Sequence, residues 1–356
     1  MRFCILAALV CALTLVHAAT LRAGAHKVDI TPPPGELMWG YEDRLKPATG
    51  MLDPLYARVL VLESGGKRLA LVTLDLGRCF GAASLNQLRE SVKRSSGISC
   101  LLVTASHTHS APVVQDEYKN GPPVWERAAL DNIGRAIQET ATGMVDARIG
   151  TGTGVAYIGH NRLRVNADGS VSWFERNVTR IPTAPVDPTV SVIRVDKMDG
   201  SAIATLTQYA CHPVVFGSDN LQYSADFPGV MNRMVEEKIG GRAVSFFLQG
   251  APGDINPYYA VTPVEENAVK WRDWTGERLG HEATRVAAEI HTEGTTESSI
   301  EFAEESMTVH LRWNEDKFRS ALLKFLGPQG MEVYGAAIKP GSSYPSPRFS
   351  LTRRLR

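Results

Sequence analysis

Cys100-Leu101-Leu102-Val103-Thr104-Ala105-Ser106-His107-Thr108-His109-Ser110 is the stretch on which the fold turns. Residues 100–105 are too few for a stable helix and nearly all apolar, the pattern of a short strand buried on both faces. A strand covered on both sides needs layers above and below it, which predicts an α/β architecture. The polar residues follow directly at the C-terminal end of that strand, where α/β sheets place their ligands.

Working outward, residues 58–63 and 68–75 read as two strands joined by a Ser64-Gly65-Gly66 turn. Residues 190–195 and 202–209 form a second pair across a turn at Gly200, and 243–248 a further buried strand. Apolar residues recur at helical spacing over 83–95, ending at Gly97, and over 124–141, ending at Gly143. Two more helices are predicted over 227–239, with Pro228 in the first turn, and over 271–291. No internal repeat is visible in the sequence.

Composition narrows the function. Of 356 residues, 38 are basic and 38 acidic, which excludes a polybasic nucleic-acid binder. No apolar run after residue 20 is long enough to span a bilayer. Residues 1–19 have the layout of a secretory signal peptide: Arg2, an apolar run, then small residues at Ala18-Ala19. A secreted or periplasmic protein is expected. Cys79, Cys100 and Cys211 remain after its removal, each in an apolar neighbourhood, and read as small buried hydrophobes. Residues 328–356 carry weak order signals and end in a basic run, Arg353-Arg354-Leu355-Arg356, as a solvated tail would.

Three strand ends carry chemistry. In extended backbone His107 and His109 would face the same way and share one site, as metal ligand and proton carrier. His212 follows strand 202–209 and is held extended by Pro213. The loop Gln249-Gly250-Ala251-Pro252-Gly253-Asp254-Ile255-Asn256-Pro257 leaves a third strand, and is either a tight capped turn or a cradle presenting N–H groups and polar side chains to substrate. Arg162 could clamp a polar substrate group or form a surface ion pair. Asp226 reads first as the N-cap of the helix after it, with orientation of a histidine as the alternative. Asn177-Val178-Thr179 is a glycosylation sequon. His26, His160, His281, His291 and His310 read as surface or structural.

Taken together, these segments resemble the neutral/alkaline non-lysosomal ceramidase family, in its N-terminal catalytic domain. Ala25-His26-Lys27-Val28-Asp29-Ile30-Thr31-Pro32-Pro33 with Met38-Trp39-Gly40-Tyr41 is similar to the family's opening segment. His107-Thr108-His109-Ser110-Ala111-Pro112 resembles its HTHSGP zinc motif, and Gly253-Asp254-Ile255-Asn256-Pro257 its GDVSP loop. The resemblance implies layered mixed β-sheets flanked by helices, with residues 20–327 as the catalytic domain. It implies Zn²⁺ held by His107 and His212, proton transfer by His109, and substrate contact by Arg162, Gly253 and Asp254. The reaction implied is hydrolysis of an amide (N-acyl) bond by a metal-activated water, on a small-molecule or lipid substrate such as a sphingolipid.

Two departures accompany it. Asn256 stands where the family has a serine, and Asn can donate to an oxyanion but cannot be a covalent nucleophile. The family's Glu and Tyr zinc ligands have no matching segments here; Glu332 and Tyr334 lie in a stretch that does not fit. The competing expectation is therefore a degenerate or truncated, non-catalytic paralogue that binds a lipid or glycan-like ligand. A metal-free hydrolase using Ser110 with His109 ranks last, since no GxSxG elbow is present.

Overall fold

The computed structural model describes residues 20–294, 299–303, 320, 323 and 324. The expected signal peptide over 1–19 and basic tail over 328–356 lie outside the described residues, as do His310, Glu332 and Tyr334. In chain order the elements are β1 (Arg22–Asp29), β2 (Gly50–Met51), β3 (Tyr56–Ser64), β4 (Lys67–Leu74), α1 (Ala82–Ser96), β5 (Cys100–Ala105), α2 (Val124–Thr142), β6 (Val145–Val155) and β7 (Gly159–Asn161). They continue with β8 (Leu163–Val165), β9 (Val171–Trp173), β10 (Thr189–Lys197), β11 (Ala202–Tyr209), β12 (Gln222–Tyr223), α3 (Asp226–Ile239), β13 (Val244–Gln249), β14 (Ile255–Pro257) and α4 (Ala268–Glu289).

Eight strands form one mixed sheet in the order β13-β11-β10-β6-β1-β3-β4-β5. Its two halves have the same topology. In the first, β1, β3 and β4 run antiparallel in turn, α1 crosses over, and β5 lies parallel to β4 before α2. In the second, β6, β10 and β11 run antiparallel, α3 crosses over, and β13 lies parallel to β11 before α4. The repeat that the sequence does not show is thus present in the topology. Strands β1 and β6, the central pair, carry no clean alternation to mark them, and are the main elements the sequence reading lacks.

Among the described residues, strand pairing between the halves is limited to Arg22↔Asp146 and Ala23↔Val145. So narrow a junction lets the sheet fold over on itself. Alternation of side chains shows how the layers stack. On β3 and β4, Ala57, Val59, Val61, Ala70, Val72 and Leu74 face α1 and α2, packing on Leu88, Val92, Ile133 and Ile137. Phe247, Val190 and Val192 face α3 and α4 on the opposite outside. The remaining side chains, Leu60 and Leu71 from the first half with Leu206, Val244 and Phe246 from the second, form a shared inner core. The result is four layers, helices–sheet–sheet–helices, with β13 packed across β3, β4 and β5.

One expectation changes. The apolar run predicts burial of β5 on both faces, yet only Leu101 is fully buried. The strand lies at the sheet's edge, so one long side is unpaired and its neighbours shield it incompletely. Its polar C-terminal end therefore emerges at the fold's open side. There the folded sheet brings it opposite the ends of β11 and β13.

The inner core is what closes the fold. Phe246→Ala is expected to cost about 3–5 kcal/mol in urea denaturation, the range for emptying a buried aromatic site. Exposed Val155→Ala should change stability by less than about 0.5 kcal/mol.

Candidate metal centre

Each histidine of the site is fixed through its backbone first. Beyond β5, the Ser106 N–H donates to Leu74 O at 2.9 Å and the His107 N–H to Leu76 O at 3.0 Å, prolonging the parallel ladder by two bonds. His107 then adopts φ 72°, a left-handed conformation that costs a non-glycine residue roughly 1 kcal/mol or more. This changes the expected geometry: His107 and His109 do not share a site by extended alternation, because the chain turns at His107. The Thr108 hydroxyl donates to Ser224 O at 2.9 Å, and the His109 N–H donates to Pro213 O at 3.3 Å. His212 is anchored twice on one carbonyl, its N–H at 2.9 Å and its Nδ1 at 3.3 Å from Ile255 O.

The three rings converge. Their centroids are 5.2 Å apart for His107–His109, 5.0 Å for His107–His212 and 5.7 Å for His109–His212. One ring nitrogen from each lies within 4.8 Å of the others. Burial holds all three pKa values below the ordinary histidine range, reinforced at His107 and His212 by the Arg162 guanidinium; His212 is lowered to about 4. His109 is held well below that range by burial and then by its two histidine neighbours. The rings are therefore neutral at pH 7, and each keeps one lone pair.

Where those lone pairs point follows from the partners. His107 Nδ1 lies 2.7 Å from Gly77 O, and His212 Nδ1 faces Ile255 O. A carbonyl can only accept, so both Nδ1 atoms carry the proton and both Nε2 atoms present lone pairs. His109 Nδ1 is buried and has no hydrogen-bond partner among the described residues. Three neutral imidazoles, two with their tautomer set by backbone carbonyls and one with an orphaned nitrogen, fit a divalent metal that prefers nitrogen donors.

Around the cluster, aromatic groups limit access. Tyr41 meets His109 edge-on at 5.0 Å and donates to Phe216 O at 2.7 Å; Trp39 lies 6.5 Å from His107. Between them, Gly40 at φ 107° leaves space that His109 fills, since a Cβ there would fall 2.3 Å from His109 Cγ. Buried Arg44 donates to the carbonyls of Trp39 and His109. These supports were missed beyond the Met38–Tyr41 resemblance, because a lone Gly or Arg in a loop carries no local signal.

Arg162, Gly253, Asp254 and Asn256 come together beside the histidines on the β7–β14 pairing. Arg162 Nη2 donates to Gly253 O at 2.7 Å, its backbone N–H to Asp254 O at 2.7 Å, and its Nη1 to Asn256 Oδ1 at 3.3 Å. Its guanidinium carbon lies 4.1 Å from the centre of the Trp173 ring. What this loop turns toward Arg162 is thus carbonyl oxygen rather than N–H. Asn256 is wholly buried, and its amide donates to Glu175 Oε1 at 3.0 Å and Glu175 O at 3.2 Å. Asp254 accepts from Asn161 Nδ2 at 2.7 Å. At Gly253 neither a positive φ nor a close neighbour calls for glycine. His160, read as surface or structural, is buried opposite Asn256 and stacks on Tyr258.

Asp226, at φ 55°, accepts the first-turn Phe227 N–H on Oδ1 at 2.6 Å, as an N-cap would, and its other carboxylate oxygen accepts from the N–H groups of Val215 and Phe216 at 3.0 and 3.4 Å, fastening the segment just past His212. Asn177 of the sequon is 1% exposed, and its amide exchanges two hydrogen bonds with the Ile181 backbone at 2.8 Å. That closes it to glycosylation in the folded protein. Ser110 Oγ accepts from Asn220 at 3.0 Å rather than engaging His109.

Comparison with known proteins now bears on the site. The profile of the family described as neutral/alkaline non-lysosomal ceramidase, N-terminal, matches residues 21–270. Neutral ceramidase B of Dictyostelium discoideum is 23% identical over 268 residues, covering 67% of this chain and 36% of that protein. The neutral ceramidase of Pseudomonas aeruginosa shares the fold with a TM-score of 0.61 and 23% identity, over 76% of this chain and 45% of that one. A ceramidase complexed with C2 matches with TM-score 0.61 and 21% identity, over 76% and 44%. The chain thus spans less than half the length of these relatives.

Two substitutions test the surroundings of the cluster. Gly40→Ala is expected to lower stability by about 1–3 kcal/mol and to shift the His109 imidazole resonances, since ring and methyl cannot occupy one volume. Asp226 is raised from 3.8 to about 6, chiefly by burial. Its folded pKa lies above its unfolded one, so the stability it adds is complete below about pH 4 and is lost as pH rises through 6. The stability of the native chain relative to Asp226→Asn should accordingly fall by on the order of 3 kcal/mol between pH 4 and 6.5, read from denaturation curves.

Proposed function

From the premise that this chain belongs to the neutral/alkaline non-lysosomal ceramidase family, we propose that it is a secreted or periplasmic, zinc-dependent hydrolase of an amide (N-acyl) bond, with a ceramide-like lipid as substrate class and residues 20–327 as catalytic domain. The observation supporting this most directly is the meeting of three neutral imidazoles from strand ends in opposite halves of the sheet. The signal-peptide pattern over 1–19 supports secretion, and no helix among the described residues is long and apolar enough to cross a membrane.

In this reading His107 and His212 hold the metal through Nε2, with Gly77 O and Ile255 O fixing the rings from behind. Bound zinc would supply an activated water and polarise the scissile carbonyl. His109, neutral and without a partner at Nδ1, takes up and releases the proton. Its nitrogen is also close enough to the other two to serve as a third ligand. Arg162 offers its guanidinium to the polar end of the substrate, while the carbonyls of Gly253 and Asp254 and the Asn256 amide hold it in place. Asn256 thereby acts on Arg162 where the family has a hydroxyl. Trp39 and Tyr41 limit water around the histidines, and Trp173 stacks on the Arg162 guanidinium.

The second reading, a non-catalytic paralogue, draws support from the same Asn256, whose amide is already engaged by Glu175. Elemental analysis of the purified chain after dialysis separates the two. About one zinc per chain, lost in His107→Ala and in His212→Ala, is expected for the hydrolase; substantially less than one favours the paralogue. His109→Ala distinguishes its two roles, since a proton carrier leaves zinc content intact while N-acyl hydrolysis falls by roughly 10²–10⁴-fold.

A further inference from the structure

We infer that Gln249 is a positioning residue: its side-chain amide staples together the two strand ends that carry His107 and His212. This rests on the metal reading proposed above for what the staple serves. Its geometry stands independently of that reading.

The argument comes from the repeat. In the first half, the last pair of the parallel ladder is Leu74↔Ala105; in the second it is Tyr209↔Gln249. The next bond is also equivalent, Ser106 N–H to Leu74 O in one half and Gly250 N–H to Tyr209 O in the other, each 2.9 Å. One step further the halves diverge. In the first, the His107 N–H reaches Leu76 O and continues the ladder. Leu76 corresponds to Cys211 in the second half, and among the described residues no backbone group takes the matching place. The Gln249 side chain does so instead: Nε2 donates to Cys211 O at 3.0 Å, and Oε1 accepts from Cys211 N at 3.4 Å. A primary amide has the donor and acceptor of a peptide unit plus one more N–H. That second N–H donates to Ser106 O at 2.8 Å, across the closure, on the opposite edge of the sheet.

One side chain therefore binds the residue before His107 and the residue before His212. The ends it joins belong to strands at opposite halves of a sheet whose continuous pairing between halves is only two residue pairs. His107 needs such restraint, because its left-handed backbone would otherwise relax. Gly250 supports the arrangement from the next position: a Cβ there would fall 2.5 Å from the Gln208 amide and 2.9 Å from Ala210 Cβ. Glutamine suits the place and glutamate does not, since two carbonyl oxygens must each receive an N–H.

Hydrogen exchange of single amides in the full chain, without added metal, tests the staple. Gln249→Leu and Gln249→Glu are compared with Val59→Ala, a core change on β3 far from the site that lowers global stability alone. Both Gln249 variants are expected to raise exchange at the His107, Cys211 and His212 amides at least tenfold beyond Val59→Ala, with the β6–β10 ladder, which contains neither substituted position, unaffected relative to that control. Exchange within twofold of Val59→Ala at either strand end would overturn the inference. Should Gln249→Leu fail to fold, Gln249→Glu, of nearly identical shape, carries the same comparison. Cobalt(II) titration then gives the consequence: affinity should drop at least tenfold in both Gln249 variants and less than twofold in Val59→Ala. If the native chain takes up no cobalt, the metal reading fails while the exchange result still decides the staple.

Discussion

Everything at the candidate site depends on the inner core that holds the two halves of the sheet face to face. Leu60 and Leu71 on one side and Leu206, Val244 and Phe246 on the other form that seam. Backbone pairing cannot do this work, because β1 and β6 share only two residue pairs. Burial of large apolar side chains, each contributing on the order of 1.5–3 kcal/mol, is what folds the sheet over. Once folded, the C-terminal ends of β5, β11 and β13 face one another, and the histidines they carry become neighbours.

Polar restraints then refine what the apolar seam brings together. Backbone carbonyls, not carboxylates, set the tautomers of His107 and His212. A carbonyl holds a ring in place without adding charge, so the imidazoles stay neutral and the cluster keeps lone pairs free for a cation. The nearby guanidinium of Arg162 works in the same direction by disfavouring protonation of each ring.

The substitution at Asn256 shows how much meaning a single position takes from its surroundings. Read in sequence, an amide in the place of a hydroxyl suggests a donor to an oxyanion. In the fold it lies wholly buried, receives Arg162 on its oxygen and gives its N–H groups to Glu175. Gly253 and Asp254 likewise present carbonyls toward Arg162. The loop is built around an arginine, and its chemistry is to hold a cation still.

The sequence by itself determined the elements that local physics controls. Strands 58–63, 68–75, 190–195, 202–209 and 243–248 and four helices were legible because side-chain periodicity and glycine stops are short-range signals. The same holds for the placing of His107, His109 and His212 at strand ends, and for the family resemblance that the profile match bears out. Only the tertiary structure decided which ends meet, that the fold repeats, and that Gly40, Arg44, Glu175 and Gln249 support the site. Each of these acts through a partner tens to hundreds of residues away, or through one carbonyl on another loop. No local pattern of residues encodes such a contact, because it exists only after apolar burial has closed the sheet.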